Sequence, residues 1–138
     1  MLEVNEDSLQ WIVVLLLLGF MLRSHVFARL LGVEKLTVHE LVNRLSQKPA
    51  VVLIDVRTPK EFEAGHAKEA VLIPLHELKK RIDEVKQLCP DGEVAVVCRS
   101  GNRSLTGTVI LKRAGFAHVY NVSGGMIQWE SQGYPVRK

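Results

Sequence analysis

The stretch Val94-Ala95-Val96-Val97-Cys98-Arg99-Ser100-Gly101-Asn102-Arg103-Ser104 runs an apolar strand straight into a short polar loop. Residues 105–114 read as a helix, so the segment is strand, loop and helix in succession. If the loop curls around the sulfur of Cys98, successive backbone N–H groups turn inward and form an anion-binding nest. The positive end of the following helix faces the same point. Together with the guanidinium groups of Arg99 and Arg103, these donors favour thiolate over thiol at Cys98. Gly101 supplies the positive φ that so tight a curl requires.

Short apolar strands and helices alternate on either side of this segment, the pattern of an α/β domain. Upstream, Thr37 and Glu40 have the spacing of a capping box and predict a helix to about Leu45. The β-branched run 51–54 ends at Asp55 and reads as a buried parallel strand. Thr58, Pro59 and Glu61 form a second capping box with proline at the first helical position. Residues 71–73 predict a short strand ended by Pro74, residues 78–88 a helix, and residues 89–92 a turn. Downstream, Gly115 suits the end of the helix that follows the loop. Residues 118–121 read as the next strand, and Gly124-Gly125 opens a last helix that carries Trp129.

The first part of the chain is of another kind. Residues 11–22 are uniformly apolar and residues 8–22 carry no charge. As a helix, 8–22 reaches only about 22 Å, short of the roughly 30 Å hydrocarbon core. Extension to Ala28 restores a spanning length if Arg23 snorkels to the headgroups and His25 sits near the interface. The acidic Glu3, Glu6 and Asp7 argue against a secretory signal, which needs positive charge there. Apolar residues on every side argue against an amphipathic helix. Arg23, Arg29 and Lys35 all follow the run, so the positive-inside rule predicts a single pass with the N-terminus outside and the C-terminal domain in the cytoplasm. The expected organisation is therefore a membrane-anchoring helix in residues 1–33 and a domain in 34–138.

The 138 residues suffice for one modest core. A net charge of +3, from dispersed basic residues, gives no nucleic-acid footprint. Two cysteines, Cys89 and Cys98, make neither a disulfide framework nor a zinc set, and they suit a reducing compartment. No metal or cofactor is expected.

The run Asp55-Val56-Arg57-Thr58-Pro59-Lys60-Glu61-Phe62-Glu63-Ala64-Gly65-His66 resembles the first signature of the rhodanese (sulfurtransferase) family. Cys98 to Ser104 resembles its active-site loop, and Gly124-Gly125, Trp129 and Gly133-Tyr134-Pro135 resemble its closing segment. The match extends from about Lys35 to Val136, with the three motifs in family order. It implies a three-layer α/β domain with a central parallel sheet, the cysteine loop at the carboxyl ends of the strands, and a persulfide intermediate on Cys98. With its apolar helix, the whole chain resembles membrane-tethered single-domain rhodanese-like proteins of bacteria.

The chemistry so implied has two steps. The Cys98 thiolate takes the outer sulfur of a small anionic donor such as thiosulfate, and the persulfide passes it to a thiol or cyanide-like acceptor. The loop residues Arg99, Ser100, Gly101, Asn102, Arg103 and Ser104 hold the anionic sulfur, with Arg99 at the loop entrance as the candidate for docking the donor. Four residues, 99–102, separate Cys98 from Arg103. Cysteine phosphatases resembling this fold use one residue more, a wider ring that suits a phosphoryl group, and no general acid for ester cleavage stands out here. Among the supporting residues, Asp55 is expected to bond backbone N–H groups at the loop base. Arg57 is expected to pair with Glu61, and His66 to organise a turn. Trp129 reads as core and Cys89 as a passive thiol. Two alternatives belong to another class: a relay module that presents the persulfide to a membrane-associated acceptor protein, and a redox-sensing thiol.

Overall fold

The computed structural model of the chain describes residues 5–138; Glu3 lies outside them. Five strands, β1 (Glu34–Leu36), β2 (Val52–Asp55), β3 (Ala70–Leu72), β4 (Glu93–Val97) and β5 (His118–Val122), form one sheet in the order β1-β5-β4-β2-β3. Every neighbouring pair is parallel. The α/β architecture with a central parallel sheet implied by the motifs is the one observed.

Strand alternation divides the core into two layers. Leu53, Ala95, Val97, Tyr120 and Val122 face one side, with Leu41 of α2 (Val38–Ser46) and Met126 and Trp129 of α7 (Gly125–Ser131). Ile54, Val94, Val96 and Val119 face the other, with Leu78 of α4 (Leu75–Leu78), Val85 of α5 (Ile82–Leu88) and Leu111 of α6 (Asn102–Arg113). Each fully buried Val, Leu or Ile contributes roughly 1.5–3 kcal/mol, so the two layers hold the strand ends in fixed register. Both capping boxes form as the spacing predicts, at Thr37 with Glu40 and at Thr58 with Glu61 of α3 (Pro59–Ala64).

β1 has no counterpart in the sequence expectation, and two helices begin elsewhere than expected. The helix expected over 78–88 starts earlier, at Leu75 after Pro74, and is interrupted by a 3₁₀ turn at Lys79–Arg81. Arg81 there reaches forward to Glu84 at 2.8 Å, and the change of path keeps both Leu78 and Val85 fully buried. The helix after the cysteine loop starts at Asn102 rather than Leu105. Gly101, at φ +102°, turns the chain so sharply that the loop's last residues become the first helical turn.

The apolar N-terminal segment is α1 (Glu6–Leu30), capped by Asn5, whose side chain accepts from Ser8 N–H at 2.8 Å. It is a helix long and apolar enough to cross a membrane. Its last turns, however, are packed on the domain. Ala28 is buried against Leu105 and Val109 of α6, and the Arg113 guanidinium lies 4.9 Å from the centre of the Phe27 ring. Of the stretch to Ala28 that sequence reading lends to a bilayer, Ala28 is therefore held by α6 and Phe27 lies beside it, while residues 20–23 stay exposed.

Candidate active site

Cys98 follows the last residue of β4, at the edge where the parallel strands present their carboxyl ends. Ligands of open α/β sheets bind at this edge. A closed ring of hydrogen bonds surrounds the sulfur. Gly101 N–H donates to Cys98 Sγ at 3.1 Å, and the thiol donates to Ser104 Oγ at 3.2 Å. Ser104 Oγ donates to Asn121 Oδ1 at 2.6 Å, and Asn121 Nδ2 returns to the carbonyl of Gly101 at 3.2 Å. Ser104 and Asn121 are both buried. Of the loop N–H groups expected to face the sulfur, that of Gly101 is the one within hydrogen-bond distance among the described residues.

A second device fixes the loop from behind. The first turn of α7 donates Met126 N–H to the carbonyl of Cys98 at 2.8 Å and Ile127 N–H to that of Arg99 at 3.0 Å. Such close approach needs Gly125: at φ +54°, a Cβ there would overlap the Cys98 carbonyl oxygen and the Arg99 backbone. Sequence reading finds Gly124-Gly125 as a helix start but assigns it no contact with the loop.

The charged residues pair differently from expectation. Arg57 bonds Asp55 rather than Glu61: its Nη2 lies 2.7 Å from Asp55 Oδ2 and also donates to the Gly65 carbonyl at 2.9 Å. Asp55, wholly buried, accepts the Arg57 backbone N–H at 3.1 Å. The pair therefore braces the turn after β2, not the base of the cysteine loop. Glu61 is free of Arg57 because it takes Arg103 in a two-point ion pair, at 3.0 and 3.2 Å. The Arg103 hydrogen bonds hold the Glu61 carboxyl below its ordinary range, and Glu61 in turn raises the Arg103 guanidinium. Arg103 is thus turned to α3, tying the loop's helix to a neighbouring element.

Arg99 and Ser100 are exposed at the rim of the loop. Cys98 itself is only 1% exposed. His66 lies away from the sulfur; its Nδ1 is 2.8 Å from the Phe62 carbonyl, and its backbone bridges Arg137. Trp129 is buried, with Nε1 donating to the Pro135 carbonyl at 3.0 Å. Cys89 lies at the other end of β4, where its thiol donates to the Glu93 carbonyl at 3.0 Å. Burial raises that thiol above its ordinary pKa. The residue that sequence reading misses is Asn121. It appears there as a strand position, and only the pairing of β5 beside β4 brings it to the loop.

Comparison with known proteins agrees with this geometry. The sequence profile of the rhodanese-like domain matches residues 37–132. A sulfurtransferase of Allochromatium vinosum is 34% identical over 104 residues, covering 75% of this chain and 94% of that protein. The tRNA uridine(34) hydroxylase of Photorhabdus laumondii is 29% identical, and the matched 71% of this chain spans only 30% of its length. Among solved structures, a rhodanese-related protein of Thermoplasma volcanium is 32% identical with a TM-score of 0.64, covering 75% of this chain and 97% of that one.

Proposed function

The chain belongs to the rhodanese-like domain family, and from that premise we propose that it transfers sulfane sulfur through a persulfide on Cys98. The family supports an enzyme of the transferase kind. The reading is carried by one observation: Gly101 N–H and Ser104 Oγ meet the Cys98 sulfur inside a closed hydrogen-bonded ring at the carboxyl edge of the sheet.

The first step is displacement at sulfur. The Cys98 thiolate attacks the outer sulfur of thiosulfate, a new S–S bond forms, the old one breaks, and sulfite leaves with the electron pair. The anionic terminal sulfur then lies within the loop, beside the Gly101 N–H and the Ser104 hydroxyl that already meet the Cys98 sulfur. Once the thiol proton has left, the Ser104 hydroxyl is free to turn its own proton to sulfur. In the second step an acceptor (cyanide in an assay, a thiol in the cell) attacks the terminal sulfur, and the Cys98 thiolate leaves. The burial of Cys98 favours a small donor, and Arg99 at the exposed rim suits an anionic one. Engagement of Arg103 by Glu61 leaves no guanidinium inside the ring for a phosphate, which supports sulfur over phosphoryl chemistry.

We also propose that α1 anchors the domain to the inner membrane as a single pass, with the N-terminus outside and the domain in the cytoplasm. Its apolar run and the cations Arg23, Arg29 and Lys35 that come after that run support this. Intact mass spectrometry after thiosulfate treatment tests the chemistry. The wild type should gain one sulfur atom and Cys98→Ser none; a gain on both, or on neither, would overturn it.

A further inference from the structure

α1 leaves the domain on the catalytic side. Phe20, Met21 and Arg23 line a cleft of about 460 Å³ with Leu75, Asn102 and Arg103 at the start of α6. Further along, Phe27 lies against Arg113, and Ala28 against Leu105 and Val109. α6 begins at the catalytic edge and runs to the opposite edge, where β5 starts. α1 therefore runs beside α6 in the same direction, and everything before Phe20 projects past the Cys98 loop.

Length then sets the distance to a bilayer. At about 1.5 Å per residue, residues 6–19 extend roughly 21 Å, against a hydrocarbon core of about 30 Å. Adding the exposed residues 20–22 still leaves the helix short. Entry of α1 into a bilayer thus draws the catalytic edge down to the headgroups instead of holding it away on a stalk.

The charge on this edge agrees. Arg23, Arg99 and Lys60 in the first turn of α3 are exposed. The carboxylates beside the loop, Asp55 and Glu61, are already engaged by Arg57 and Arg103. The opposite edge instead presents Asp91, in the exposed turn before β4, while Glu93 there is engaged by Arg44 and Tyr120. Arg23 has its guanidinium 4.6 Å from the centre of the Phe20 ring, placing a cation over an apolar floor where the cleft opens.

We infer that the catalytic edge rests on an anionic lipid surface, with a phospholipid headgroup phosphate seated in the cleft between α1 and the first turn of α6. Arg23 is its principal ligand, and the Cys98 loop faces the membrane. Acceptors reaching that loop are then themselves at the membrane surface. The inference rests on the reading of α1 as a membrane-inserted helix.

The test uses the full chain in vesicles of phosphatidylcholine alone and of phosphatidylcholine with phosphatidylglycerol. In a Cys89→Ala, Cys98→Ser background, one fluorophore is placed at Thr106→Cys in the cleft and, separately, at Asp91→Cys on the opposite edge. Shallow brominated lipids then report depth. Quenching at position 106 should exceed that at 91 several-fold and rise with phosphatidylglycerol, and Arg23→Glu should remove the rise. Equal quenching at both positions, stronger quenching at 91, or indifference to phosphatidylglycerol would overturn the inference while leaving membrane insertion intact. A chain that fails to float with either vesicle overturns the insertion reading and the inference with it. If the double-substituted background does not fold, hydrogen exchange on the wild type makes the same comparison. Phosphatidylglycerol should then protect residues 20–23 and 102–106, not residues 91–93, and the reverse pattern would refute it.

Discussion

Cys98 and Cys89 belong to one apolar layer and lie at opposite ends of one strand. Both are buried, and each makes a sulfur hydrogen bond of 3.0 to 3.2 Å. Their surroundings nevertheless differ in charge. At the carboxyl end of β4, Cys98 receives an N–H from Gly101, gives its proton to the Ser104 hydroxyl and lies under a loop with exposed arginine. At the amino end, Cys89 gives its proton to a carbonyl, and Asp91 and Glu93 add to burial in raising its pKa. A parallel sheet makes its two edges electrostatically unequal, and the same side chain becomes a nucleophile candidate at one and packing at the other. The strand between them is about 16 Å long, so the two sulfurs are far outside disulfide reach.

The sharpest way to break this contrast is to exchange each thiol for a hydroxyl. Cys98→Ser should abolish thiosulfate:cyanide transfer with the fold intact by circular dichroism. Cys89→Ser should keep kcat/KM and lose about 1 kcal/mol of stability. Comparable activity losses in the two variants would erase the distinction. The next comparison is between glycines near each end. Gly125→Ala puts a methyl into the Cys98–Arg99 backbone, and overpacking of that kind should cost about 1–3 kcal/mol in urea unfolding along with most of the transfer activity. Gly92→Ala, at φ +74° but with only ordinary contacts to Ala117, should cost about 1–2 kcal/mol and leave transfer unchanged.

Asn121→Ala opens the ring around Cys98 without touching the sulfur. It should lower kcat about tenfold or more, the effect of about 1–3 kcal/mol from an unsatisfied buried partner, with KM for thiosulfate little moved. A change confined to KM would make Asn121 a binding group instead of a positioning one. The smallest effect is on pH dependence. A thiol raised by burial keeps its proton in the folded state while the unfolded chain loses it. Stability from Cys89 is therefore present below the ordinary thiol pKa and declines as pH rises through the raised one. Urea unfolding across that alkaline range should show the decline in the wild type and a flatter profile in Cys89→Ala.

Local chemistry was readable along the chain, and chemistry closed through space was not. Thr37 with Glu40 and Thr58 with Glu61 lie three residues apart, so their capping boxes follow from spacing alone. The strand, the loop and the positive φ of Gly101 were legible for the same reason. Spacing along the chain does not find the partner of Glu61, because Arg103 is 42 residues away and meets it only in the folded domain. Arg57, two residues from Asp55, was available all along, but sequence reading preferred helical spacing to a turn. Asn121 carried no local signal, since a polar residue in a strand announces no partner. The end of α1 misled for a different reason: an apolar face reads alike whether lipid or α6 covers it.

The sheet order and the α7 clamp also have a consequence in time. A ribosome delivers α1 before the strands of the sheet, and domains generally fold in the order they emerge. Yet β1, next in sequence, must wait for β5, its sheet neighbour, and the Cys98 loop must wait for Met126 and Ile127. The apolar helix is thus made long before the Cys98 thiol has its donors. The loop around the sulfur is fixed from behind only once α7 has been made.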